Sequence, residues 1–497
     1  MPATTRRLLF LLCLGSWVAC SGTGTDDSNT DSEHAKAALA RQEGLALTAR
    51  GVLFLQQGRP ARALSELRKA TEASPDAMEP HFNMGLAYDQ LARPAEATVA
   101  YTMAVERDPA NALARYALGL SLRNQQRNPE AAQHFERAAE LVPGKAEYHY
   151  RLGEVLRAMG DFDGALSVLA SALDLDSSRV DAHFYHSELL AHQDQLAAAE
   201  AGFQRVLALD PDYGSAWLEL GRIYASQDRH DEAITAYHRA GELDPEVTTV
   251  HYLLSQALQA TGRPDEAAAQ RALFQRLSAA EKDLNQGSVY AGRQDWANAI
   301  DAWHRALKAN PDAITAYLRI SEAHLRLGQQ EQALKLLRTA LNIDPSSLEV
   351  NCLLGEALMS VEAGEEALEF FQAALRLDSR STRARHGLAL TLAAAGHTQD
   401  AIDVFHQVLD LDPDNAEVHY HLGLVYARQN RPTDAMVCFR QSAAADDSYG
   451  PAHLALGLML AQAGESAAAR ASLQKVLQLD PQNDKARKRL ALLHQQN

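Results

Sequence analysis

Residues 112–145 read ALARYALGLSLRNQQRNPEAAQHFERAAELVPGK, and the spacing of three residue types in this stretch recurs along most of the chain. Ala131 is one of thirteen alanines, at 63, 97, 131, 165, 199, 233, 267, 299, 333, 367, 401, 435 and 469. Every interval between them is 34 residues, except the 32 from Ala267 to Ala299. Twelve residues before each alanine stands a small residue: Gly119 here, and Gly51, Gly85, Gly153, Ser187, Gly221, Ser255, Gly287, Ser321, Gly355, Ala389, Gly423 and Gly457 elsewhere. Four residues after it the side chain is usually large, as at Leu67, Tyr101, Phe135, Leu169, Phe203, Tyr237, Trp303, Phe371 and Phe405. Prolines at 75, 109, 143, 211, 245, 311, 345, 413 and 481 keep the same register. A fixed period of this length specifies a solenoid in which each repeat packs only on its neighbours.

One repeat shows the physics. Ala114, Leu118 and Leu122 recur at i, i+4 and i+8, so the first helix buries one face. Gly119 and Ala131 are small because two antiparallel helices cross there, and Phe135 fills the space beside them. Pro143 has no N–H and ends the second helix. Asp-Pro steps such as Asp108-Pro109 and Asp412-Pro413 reinforce that stop, and Asn111, Asp212 and Asn415 are placed to cap the next helix. No stretch carries a strand signal, so the fold class is all-α. The pattern of small residue, alanine, bulky residue and proline resembles the tetratricopeptide repeat family. That resemblance implies a right-handed superhelical α-solenoid of about thirteen helix-turn-helix units over 44–483. Residues 484–497 keep Ala486, Leu490 and Leu493 on one helical face and are expected to form a capping helix.

The amino terminus reads as an address. Arg6 and Arg7 precede an apolar run from Leu8 to Ala19, too short to span a bilayer and suited to a signal peptide over 1–19. Ala19-Cys20 followed by Ser21 and a Gly/Ser/Thr/Asp-rich stretch resembles a bacterial lipoprotein signal, although Trp17 stands where that family usually has leucine. The resemblance implies lipidation at Cys20 and, with Ser21 next, an outer-membrane lipoprotein facing the periplasm of the cell envelope. The alternative is an ordinary secretory signal that happens to contain Cys20. Residues 20–43 are expected to form the lipidated cysteine and a flexible tether. Removal of Arg6 and Arg7 with the signal takes the formal charge from −17 to −19. An acidic chain without a basic stripe argues against a nucleic-acid partner. Cys352 and Cys438 lie at non-equivalent repeat positions and suggest buried thiols, not a disulfide framework.

Motifs for catalysis are missing: no phosphate-binding glycine loop, nucleophile elbow, HExxH or CxxC occurs. The reading is therefore a protein that is not an enzyme, with no cofactor. Six of the nineteen histidines (His81, His149, His183, His251, His419 and His453) share one repeat position. Equivalent atoms of stacked helix pairs lie ~8–10 Å apart or more, so no metal site is expected from them. The pairs His183/His186 and His419/His421 lack a third ligand at compelling spacing.

The family resemblance implies that first helices line a concave groove where ligands bind. One first-helix position reads Phe82, Tyr116, Tyr150, Phe184, Leu218 and Tyr252, then Leu284, Leu318, Cys352, His386, Tyr420 and Leu454. Near the aromatic half stand Glu147, Glu154, Asp181 and Glu188, with Arg123, Arg157 and Arg222. Aromatic faces flanked by charge suit a peptide or an extended protein segment; alternatively the rings pack between neighbouring first helices and are buried. The short interval marks an atypical repeat 7 over 248–279, with Arg271 at the bulky position, Phe274 at a small one and Ala279 for proline. Ser278 and Glu281 form a capping-box pattern that would start the next helix. Two blocks, 44–247 and 280–483, would then join through a weak hinge. The functional expectation is a protein-protein interaction scaffold anchored in the envelope, as in pilus biogenesis, polysaccharide export or outer-membrane insertion. The alternatives are a periplasmic glycan- or peptidoglycan-binding adaptor, or a non-catalytic partner of a separate glycosyltransferase or export machine.

Overall fold

The computed structural model describes residues 28–495. Among these residues every regular element is an α-helix, twenty-six in all, and no strand occurs. The alanine register is the axis of the core: all thirteen periodic alanines are fully buried. The bulky residues four positions on are buried with them, including Phe135, Phe203, Phe371 and Phe405. Glycine at the small position serves a close approach. A Cβ on Gly119 would lie 2.7 Å from Phe135 Cε1, and one on Gly153 would lie 2.6 Å from Leu169 Cγ. Where the small residue is glycine, the first helix thus receives the large side chain of its own second helix onto bare backbone, which is close ridge-into-groove packing.

The turn between the two helices of a repeat carries a second periodic signature. Among the described residues, left-handed backbone occurs at Gly58, Ala92, Gln126, Gly160, Asp194, Asp228, Gly262, Gln294, Gly328, Glu362, Gly396, Asn430 and Gly464. These positions keep the 34-residue period and the single 32-residue step. The left-handed residue ends the first helix and reverses the chain. Between repeats, Asn111 and Asn415 accept hydrogen bonds from the backbone N–H groups of Ala114 and Val418, both at 3.0 Å, and so cap the next helix. Asp212 does not cap: the helix Gly214–Ser226 begins after Tyr213, and the Asp212 carboxylate pairs with Arg239 at 2.9 Å.

Three sequence expectations are corrected. Residues assigned to a tether are helical from Ser28, within the helix Ser28–Gln56, because Ala35 to Glu43 supplies strong helix formers. No break occurs at Ser278: Pro264–Gly292 is one helix of 29 residues. With Ala279 in place of proline and two residues deleted from the turn, nothing interrupts the i→i−4 ladder. Ser278 and Glu281 are therefore interior residues, not a capping box. The compact units also divide elsewhere, one running to Gln193 and the other from Asp194, not on either side of repeat 7.

In the first unit, a continuous core runs from Leu55 to Val155, with Leu169 and Ala172 in a further cluster. In the second, separate clusters build around Tyr237 and Leu254, Trp303 and Ile320, Leu337 and Leu354, and Phe405 and Phe439. The last of these takes in Ala486, Leu490 and Leu493 from the helix Asp484–Gln495.

Candidate functional site

The shared histidine position is a structural clamp. His149, His183, His419 and His453 each place Nε2 2.8–3.1 Å from a backbone carbonyl six residues earlier in the preceding turn. Trp217 makes the same bond to Pro211. These groups satisfy turn carbonyls that no helix reaches. Cys352 and Cys438 are buried free thiols, and burial pushes both up from the usual range.

The aromatic ladder is not an open row of rings. Phe82, Tyr116 and Tyr150 are 2–3% exposed, Phe184 is half-buried, and Tyr252 alone among the five is 42% exposed. Tyr116 lies 5.9 Å from the Phe135 ring and 5.0 Å from Tyr148. Tyr252 lies 5.4 Å from Phe274, the residue that breaks the small-residue rule in repeat 7. The rungs therefore pack, and what reaches solvent beside them is charge.

In the first unit the charges form a lattice across three consecutive first helices, Ala112–Asn124, Ala146–Met159 and Val180–His192. Glu147 accepts hydrogen bonds from the Tyr116 hydroxyl at 2.9 Å and Arg151 Nε at 2.8 Å, and pairs with Arg179 at 2.6 Å. Glu154 accepts from Arg123 at 2.5 Å and from Arg151 at 2.9 Å. Arg157 pairs with Glu188 at 3.1 Å. The guanidinium groups also cover rings: Arg151 and Arg179 lie 4.9 and 4.8 Å from the Tyr150 centroid, and Arg157 lies 4.5 Å from Tyr185. Tyr150 and Tyr185 stack at 6.3 Å, 19° from parallel.

Burial alone would raise the Glu147 carboxyl, but Arg151, Arg179 and the Tyr116 hydroxyl hold it below the usual range. Burial and the adjacent Glu147 carboxylate push the Tyr116 phenol up, so it stays a donor. Asp181 differs from the other three acids. It is exposed and, among the described residues, makes no ion pair, while it lies close enough to raise the Tyr150 and Tyr185 phenols.

Sequence spacing alone identifies the four acids, Arg123, Arg157 and the two ladder tyrosines, and misses Arg151, Arg179, Tyr148 and Tyr185. Arg222 belongs elsewhere: it is in the second unit and pairs at 3.4 Å with Glu219 on its own helix. Cys20 lies outside the described residues.

The missed residues follow a register rule. The ladder residue of one repeat meets two residues of the next first helix, one 31 and one 35 positions on. This gives Tyr116/Glu147/Arg151, Tyr150/Asp181/Tyr185 and, in the second unit, His386/Glu417/His421. In the last set His386 Nε2 and His421 Nδ1 are 3.0 Å apart. Burial holds both imidazoles below their usual range, opposed by Glu417. A cleft of about 550 Å³ in the first unit is lined by Ala40, Gly44, Thr48, Ser74 and Pro80, none of them a member of these sets.

With the packing register and the groove positions in place, family comparison decides the class. The tetratricopeptide repeat model matches residues 32–77, 82–146, 150–214, 386–451 and 438–484, more than half of the chain. The chain is a tetratricopeptide repeat protein. A second tetratricopeptide repeat model matches 290–357, and the cytochrome c-type biogenesis protein H TPR domain model matches 191–317. No curated protein matches the chain.

Solved tetratricopeptide structures show partial likeness. YrrB, described as a TPR protein with an unusual peptide-binding site, is 25% identical over 39% of this chain and 97% of its own, with a TM-score of 0.35. Pseudomonas aeruginosa PilF is 23% identical over 42% of this chain and 94% of its own, at a TM-score of 0.37. The anaphase-promoting complex hetero-tetramer Cut9–Hcn1 is 17% identical over 94% of this chain and 99% of that one, at 0.42. As a tetratricopeptide repeat protein, the chain belongs to a family of protein-interaction scaffolds.

Proposed function

We propose that the protein is a non-catalytic scaffold of the bacterial cell envelope, tethered through a lipid on Cys20, that binds an extended protein segment on the first-helix face of repeats 3–5. The observation that carries the binding surface is the lattice around Arg151. Four arginines pair with three of the four acids and fix the tyrosine rings in place, while Asp181 is exposed and makes no ion pair at the edge, its charge bringing the local sum to zero. A surface whose side chains are already ordered loses little entropy when a partner docks. The unpaired carboxylate and the formal charge of −17 favour a segment carrying lysine or arginine. Tyr185, half-buried and stacked, offers the apolar contact beside it.

Affinity capture from membranes of the source organism tests this reading. Wild-type bait should retain a partner that the double variant Asp181→Lys, Tyr185→Ala does not. An identical set of captured proteins on both baits would send the binding surface elsewhere.

A further inference from the structure

We propose that His386, Glu417 and His421 form a binding site for one divalent first-row transition ion of the Zn²⁺ class. Glu417 and His421 are four residues apart on the helix Ala416–Arg428 and therefore share a face. His386 comes from the preceding first helix, Thr382–Ala394. One donor atom from each of the three lies within 4.8 Å of the others, and the two imidazole nitrogens are 3.0 Å apart. Tetrahedral coordination with metal–nitrogen bonds of ~2.1 Å needs nitrogens roughly 3.4 Å apart, so the rings would open by only a few tenths of an ångström.

The repeat's 31/35 register brings these three positions together, as it does Tyr116, Glu147 and Arg151; what sets this trio apart is that it carries two imidazoles and a carboxylate. His421 is 35 residues from His386, not 34, and the position in register with His386 is Tyr420. The one-residue offset turns His421 back toward its neighbour, which is why histidine spacing along the chain did not expose the pair. The surroundings suit a cation. Arg383, in the first turn of His386's own helix, is neutralised by a two-pronged ion pair with Glu356 at 2.6 and 2.7 Å. Glu417 supplies a negative charge and is exposed, which leaves a coordination position open to water. Two imidazoles and one carboxylate are a donor set that zinc and ferrous ions share. Such an ion would tie repeat 11 to repeat 12 within the second unit.

The test is titration of the untagged, metal-stripped protein with Zn²⁺ followed by calorimetry, with Co²⁺ as a spectroscopic stand-in. One ion per chain is expected, with visible Co²⁺ bands of tetrahedral or five-coordinate strength. His421→Ala and Glu417→Gln should each weaken Zn²⁺ binding by at least about tenfold and alter the Co²⁺ bands. His397→Ala, an exposed histidine outside the trio, should change neither. Glu417 is exposed, so Glu417→Gln keeps the fold and remains informative even if the histidine variant unfolds. No saturable site, or wild-type affinity in Glu417→Gln with unchanged Co²⁺ bands, would overturn the proposal.

Discussion

Replacing Arg151 by methionine isolates the electrostatic term that holds the first-helix face of repeats 3–5 together. The Arg151 side chain is 19% exposed and makes two charged hydrogen bonds, 2.8 Å to Glu147 and 2.9 Å to Glu154. Methionine keeps much of the stem volume over Tyr150, so little packing is lost with the charge. Removing one partner of a fully buried pair costs about 3–5 kcal/mol because it strands the other charge. Neither acid is stranded here: Glu147 keeps Arg179 and Tyr116, and Glu154 keeps Arg123. Two charged hydrogen bonds in a partly wet site, plus the cation–π contact, then amount to roughly 1.5–3 kcal/mol. Arg137 is the control. It pairs with Glu140 at 2.6 Å, but both side chains are about half exposed, so Arg137→Met should cost ~0–1 kcal/mol. Repeat arrays unfold piecewise, so the suitable assay is native-state hydrogen exchange read locally over Ala146–Met159 and Val180–His192. Protection there should fall by about 10–100-fold in Arg151→Met and by less than about fivefold in Arg137→Met. Equal losses in the two variants would refute the lattice as a stabilising unit.

Gly119→Ala should destabilise by about 1–2 kcal/mol, since the added methyl meets the fixed Phe135 ring at 2.7 Å and overpacking outweighs the gain in helix propensity. Gly144→Ala, with nothing within 4 Å, should stay within ~0.5 kcal/mol in thermal denaturation; a Gly119→Ala protein as stable as wild type would contradict the packing register. Cys20→Ala should abolish fatty-acid labelling and release the protein from membranes, and unchanged labelling would remove the lipid anchor from the account.

The repeat register was legible because its chemistry is strict. Only alanine fits where Ala131 and its equivalents are fully buried, and only a very small residue fits under Phe135 or Leu169. The left-handed turn residue keeps the same period, yet seven of its thirteen positions are Ala, Gln, Asp, Glu or Asn, so no glycine signature marks it. Ser278 to Glu281 misled for a different reason. A capping box and a solvent-facing turn of helix have the same composition, and only the missing proline at 279 separates them. The ladder aromatics were visible by spacing, but their exposure depends on what the next first helix brings against them. For Tyr116 that is Tyr148 and Glu147; for Tyr150 it is Tyr185 under two guanidinium groups. None of those contacts joins positions 34 residues apart (Tyr116 and Glu147 are 31 apart, Tyr150 and Tyr185 are 35), so a comparison in steps of 34 does not align them.

The affinity of a captured partner for wild-type protein and for Asp181→Lys, Tyr185→Ala tests the central claim most directly. Calorimetry at fixed salt should show binding weakened by about tenfold or more, ~1.4 kcal/mol, with helical content near wild type; Asp181 is exposed, while Tyr185 packs partly against the Tyr150 cluster, so the melting temperature of the variant is read alongside. A partner that binds both proteins equally, or one lost only in proportion to unfolding, would contradict the assignment of this face as the binding surface.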